Sequence, residues 1–181
     1  HGRGVGVVDV PLGGAAATVQ VRDVLSDSLV ANAGVDSLVK RVVAAVAAEM
    51  SRPIAQIAEP LRRSGRQYAL GNLIADAQRA AGKGDVAVMN NGGIRADLQA
   101  GQATYGSIFE IQPFGNTLYR LTVRGRDLRA YLERLVAGSA LNAHVSGVTV
   151  VYVPTKPAGS RITTVKLADG RALRDDATYT L

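Results

Sequence analysis

The stretch DVAVMNNGGIRADLQAGQATYGSIFEIQPF, Asp85 to Phe114, constrains this chain more than any other. Val86 and Val88 alternate through Asp85–Met89, the period of a strand. The strand stops at Asn90-Asn91-Gly92-Gly93, residues that tolerate positive φ and close backbone approach. Ile94 and Arg95 follow at once. A strand ending in a Gly pair beside an Arg turns backbone N–H groups and a guanidinium toward one small volume. A guanidinium offers phosphate or carboxylate a planar fork of donors. Asn90 carries both donors and an acceptor, as contact with a nucleobase edge requires. Pro113 and Gly115 flank Phe114 and place its ring on a turn, not within a helix. The plainer alternatives are turn geometry for Asn90, Gly92 and Gly93, and half-buried packing for Phe114.

Composition narrows the function classes. At 181 residues, 47% of them hydrophobic, the chain can bury one ordinary core. No apolar run approaches the roughly 20 residues of a membrane span. There are no cysteines, which removes disulfides and thiolate chemistry. The two histidines, His1 and His144, are far apart in sequence and lack a carboxylate cluster, so no metal is expected on this chain. The net charge is +6, but it comes from scattered arginines and not from a block of like charges. Aromatics make up 4%, too few for a base-stacking platform for single strands, and no nucleic-acid partner is expected. The first residue is not Met and no signal peptide is visible, so a processed or trimmed product is expected.

Elsewhere the pattern alternates between strands and helices. Gly2–Val10 and Thr18–Val24 read as a hairpin across Pro11–Gly14. Asp36 is expected to cap a helix running to about Met50, with Leu38, Val42, Val43 and Val46 on one face. Pro53–Leu61 reads as a strand. Arg62, Arg63 and Arg66 then crowd one loop. Leu70–Ala81 is a helix with Asn72 as its N-cap and Asp76 in its early turns, and Gly82–Gly84 end it. Thr104 caps a short helix, Tyr105–Ile111, whose Ile108 and Phe109 should be core. Thr117–Val123 is a strand. Leu128–Val136 is a helix with Tyr131 inward and Glu133 outward, ended by Gly138. Val148–Val153, Ile162–Leu167 and Thr178–Leu181 are strands, and Asp169-Gly170 is a tight turn.

Four motifs stand in order: GNLIADA (Gly71–Ala77), NNGGIR (Asn90–Arg95), TYGSIF (Thr104–Phe109) and QPFGN (Gln112–Asn116). Together they resemble the C-terminal domain of the 5'-nucleotidase family, which includes UDP-sugar hydrolases and 2',3'-cyclic-nucleotide phosphodiesterases. The resemblance covers roughly Arg62–Leu181. It implies an α/β fold, an α+β mixed sheet with flanking helices, incomplete at its C-terminal end. It implies that residues 1–30 are terminal strands of a preceding metallophosphatase domain, 31–52 a linking helix, and 53–181 the substrate-binding domain. In the family an Arg ahead of the GN helix contacts phosphate. Seven residues before Gly71 this chain has Ser64, so Arg63, Arg62 or Arg66 takes that role, or each is a solvated loop residue. The resemblance implies stacking of a base on Phe114 and phosphate contact from Arg95. Two divalent metals are expected in the missing domain and none on this chain. The expected partners are a nucleotide-like small molecule and the metallophosphatase domain; export from a bacterial cell is also implied. A non-catalytic nucleotide-binding module, or a stable proteolytic core, is the alternative.

Overall fold

The computed structural model describes residues 4–14, 16–24, 30–137 and 143–181. The chain divides into two compact units, His1–Ala47 and Ala48–Leu181. The expected roles of His1 and Gly138 fall outside the described residues.

In the first unit β1 (Gly4–Asp9) and β2 (Thr18–Asp23) pair antiparallel, from Gly4 opposite Asp23 to Asp9 opposite Thr18. The alternating valines specify this hairpin. Helix α1 (Ala33–Met50) begins here and ends in the second unit. It starts earlier than expected. Asn32, not Asp36, caps it, its Oδ1 accepting from the N–H groups of Gly34 and Val35 at 3.1 and 3.2 Å. Asp36 instead pairs with Lys40 one turn on, at 2.8 Å.

In the second unit β3 (Pro53–Ile57) pairs antiparallel with β5 (Gly101–Thr104). Helix α2 spans Ala69–Gly82. Strand β4 (Ala87–Asn90) pairs antiparallel with β7 (Ala143–Ser146), Met89 standing opposite His144. Helix α3 (Tyr105–Ile111) starts in the expected way. Thr104 and Ser107 exchange side-chain and backbone hydrogen bonds in a reciprocal cap. Strand β6 (Thr122–Arg124) pairs with β10 (Thr178–Thr180), and helix α4 (Gly125–Leu135) lies between them in sequence. Strands β8 (Val148–Tyr152) and β9 (Ile162–Leu167) complete the unit. Among the described residues the strands form five two-stranded antiparallel ladders rather than one continuous sheet.

Two apolar clusters hold this unit together. Leu70, Ala75, Met89, Ile94, Leu98 and Ile111 belong to the first, which sits under α2 and the β4 loop. Val86, Leu128, Leu132, Val165, Leu173 and Tyr179 form the second. A fully buried Leu contributes about 1.5–3 kcal/mol relative to an exposed one. Each cluster therefore anchors its helix more firmly than intrinsic propensity does.

Several expectations are corrected. Asn72 is not the N-cap of α2. Tyr68 occupies that position without a side-chain cap, and Asn72 lies inside the first turns. Ile108 and Phe109 are 40% and 44% exposed, so they are not core. On α4 Glu133 is buried, not outward, and accepts the N–H of Ile162 at 2.7 Å. Tyr131 is exposed. The strand expected over 117–123 shrinks to Thr122–Arg124, preceded by one reciprocal backbone pair between Leu121 and Leu181.

Candidate functional site

The NNGG segment leaves β4 as a 3-10 turn, Asn91–Gly93. Neither glycine has positive φ, so the requirement for Gly is not conformational here. A Cβ on Gly93 would lie 2.5 Å from Cε of Met89, closer than atoms pack. That atom is the tip of a flexible side chain, so a larger residue at 93 would require Met89 to move rather than the backbone. Ile94 is buried immediately after it, and the Arg95 N–H donates to the carbonyl of Ile111 at 2.7 Å. That bond ties the loop after β4 to the end of α3, three residues before Phe114.

Phe114 is 49% exposed. Its ring and Asn90 line one cleft of about 970 Å3, between α2, the β4 loop and the turn after α3. Of the eight candidate residues these two line the cleft. Among the described residues its wall carries no Asp, Glu, Lys, Arg or His. Apart from apolar side chains, the wall presents the carboxamides of Gln78, Asn90, Gln112 and Asn116 and the hydroxyls of Thr117 and Tyr119. Gln78 and Gln112 donate to the sulfur of Met89 at 3.2 and 3.4 Å. Neither glutamine stands out in the sequence. Gln78 sits among Ile74, Ala77 and Ala81 on the cleft side of α2, and a lone amide on an apolar face is the one signal the sequence offers for it.

The arginines take different positions. The Arg95 side chain is exposed and donates to the Gly92 carbonyl at 3.3 Å. Arg63 donates through Nε to Asp97 at 3.2 Å and through Nη1 to the Ile94 carbonyl at 3.0 Å. Its own N–H also donates to Asp97, at 2.9 Å. That backbone bond, followed by the guanidinium contacts, holds the Asp97 carboxyl below its usual range. Arg63 therefore braces the loop that carries Arg95. Arg62 and Arg66 are exposed on the preceding loop. No cluster of three or more His, Asp or Glu capable of holding a metal exists among the described residues.

GNLIADA has a packing role. Gly71 lies over the ring of His144, and no Cβ would fit between them. His144 is fully buried, packs edge-on to Tyr68 at 4.2 Å, and has Nδ1 3.1 Å from Oδ1 of Asn72. Its Nε2 is buried without a partner. Further along β7, Ser146 hydrogen-bonds to Asp76 and accepts from Arg79 Nε at 2.8 Å. Asn72, Asp76 and Arg79 lie at i, i+4 and i+7, so one face of α2 grips β7.

The family described as "5'-nucleotidase, C-terminal domain" matches residues 42–181. The chain belongs to that family. As a 5'-nucleotidase C-terminal domain it is 45% identical over 113 residues to the endonuclease YhcR of Bacillus subtilis, a match covering 62% of this chain and 9% of that protein. It is 34% identical over 116 residues to a 5'-nucleotidase of Vibrio cholerae, covering 62% of this chain and 20% of the relative. The chain therefore spans a fifth or less of these relatives. The crystal structure of a 5'-nucleotidase precursor from Thermus thermophilus superposes with a TM-score of 0.71 at 27% identity, over 99% of this chain and 39% of that one. The mixed helix-and-strand fold expected from the motifs agrees with this neighbour.

Proposed function

We propose that this 5'-nucleotidase C-terminal domain is the substrate-binding part of a phosphoesterase that hydrolyses nucleotides to nucleosides and phosphate. One observation carries the reading: the half-exposed ring of Phe114 and the amide of Asn90 line the same cleft. A base stacked on such a ring gains about 1–3 kcal/mol. Asn90 meets the base edge. Arg95, with Arg62, Arg63 or Arg66, steadies the phosphate; Gly92 leaves its exposed backbone open to it, and Gly93, buried beside it, shapes the turn. Charge-assisted bonds of this kind contribute about 1.5–3 kcal/mol each. They position the phosphate as well as bind it. The relatives' names, endonuclease and 5'-nucleotidase, both denote cleavage of phosphate esters.

In this reading residues 1–30 are the last strands of a metallophosphatase domain, and residues 31–52 link it to the substrate-binding domain, 53–181. The described residues offer no donor set for a metal. Two divalent ions would belong to the other domain and would activate the attacking water there. Export from a bacterial cell is part of the same proposal. The test uses the complete parent protein. Phe114→Ala and Arg95→Ala should each raise KM for nucleoside monophosphates. An unchanged KM in both would refute the site, and metal-dependent turnover by the isolated chain would refute the division of labour. A second reading, a binding module without catalysis, is favoured only if the parent turns over no phosphate ester.

A further inference from the structure

We propose that Gln78 and Gln112 read the polar edge of the base, and so set base preference, in the cleft beneath Phe114. This rests on the reading of the cleft as a nucleoside site. Three observations support it. First, among the described residues the wall has no charged side chain, so the part of a ligand that enters must be neutral; a free phosphate would lose its hydration with no counter-charge. Second, at about 970 Å3 the cleft falls in the range of small-molecule sites. Third, each amide directs an N–H at the same thioether sulfur, at 3.2 and 3.4 Å. Sulfur is a weak acceptor. A ring nitrogen or exocyclic oxygen placed there would be a stronger partner for the same donors. Gln78 comes from α2 and Gln112 from the end of α3, so both elements hold the reading groups in place.

The discrimination expected is large for so small a change. Partly buried donors that are matched by one ligand are left without that partner by another. Asn90, next to Met89 in sequence, lines the same cleft.

The experiment is calorimetric titration of the 181-residue chain with adenosine, guanosine, cytidine and uridine, and with their 5'-monophosphates, at low and high salt. The chain should bind one nucleoside preferentially, with an affinity that salt leaves nearly unchanged. Gln112→Glu and Gln78→Glu keep side-chain size and replace the donor with an acceptor. Each should weaken the preferred nucleoside about tenfold and change the ranking of the four. Thermal unfolding of both variants identifies any that fail to fold, and Gln112→Met and Gln78→Met then serve as apolar replacements of similar length. Unchanged affinity and ranking in folded variants would overturn the assignment while leaving nucleotide binding intact. So would a chain that binds monophosphates but no nucleoside. A chain that binds neither would overturn the nucleoside site itself.

Discussion

The imidazole of His144 occupies the space that a side chain on Gly71 would need. This contact fixes how closely α2 approaches β7. It makes glycine obligatory in the first helical turn for a reason of volume, since Gly71 does not adopt positive φ.

Gly71→Ala should therefore destabilise the chain by about 1–3 kcal/mol, the usual range for forcing volume into a packed site. Urea unfolding followed by circular dichroism measures it. His144→Ala should remove most of the penalty in the double variant, because the clash is with the ring. An additive double variant would show that the two residues do not share the space.

Burial pushes the pKa of His144 below the ordinary imidazole value of 6.5. The folded chain keeps the ring neutral, and protonation would add a second donor where Nε2 has no partner. The unfolded chain takes up the proton near pH 6.5, so it binds more protons than the fold. Stability is then full above about pH 6.5 and falls as the pH drops through that value. The urea midpoint should decline between about pH 7.5 and pH 5, and His144→Gln should flatten the decline. The depressed carboxyls of Asp85 and Asp97 add a separate loss only nearer their ordinary value of 3.8.

Phe114→Ala should weaken nucleoside monophosphate binding by about tenfold, the lower half of the stacking range. It should leave the melting temperature nearly unchanged, because half of the residue is already in water. A large fall in melting temperature would mark the ring as core.

The arginines of the 62–66 loop should separate by role. Arg63→Ala removes contacts to Asp97 and the Ile94 carbonyl and should lower the urea midpoint. Arg66→Ala, at an exposed position, should not. If phosphate contact falls to Arg66 or Arg62, their alanine variants lose affinity for nucleotides while keeping stability.

Much of the fold was legible where the local signal was self-sufficient. The valines of the hairpin, Thr104 before α3 and the apolar face of α2 each specify their element without help. β7 was not legible. It has one branched aliphatic residue, Val145, between His144 and Ser146, and those two polar residues face α2 to meet Asn72 and Asp76. The alternation of Ala143-His144-Val145-Ser146 is intact, but its polar residues face inward, the reverse of the usual sense, and four residues are a short run to read. Asn72 and Asp76 read as a cap and an early-turn acid because the partners that explain them, His144 and Ser146, lie some seventy residues away. The cleft was half legible. Phe114 and Asn90 stand out by turn chemistry, whereas Gln78 and Gln112 gain meaning only when α2 and α3 bring them to one sulfur.

The hydrogen bond from the Arg95 N–H to the Ile111 carbonyl has a mechanical result. It ties the loop after β4 to the last residue of α3, so the Asn90 and Phe114 sides of the cleft are braced against each other. A nucleotide arriving there would find its contacts already aligned, and little of its binding energy would be lost in stilling mobile backbone. Ligands differing at the base would then be sorted by fit against a firm mould, with little chance for the mould to reshape itself around a poor guest.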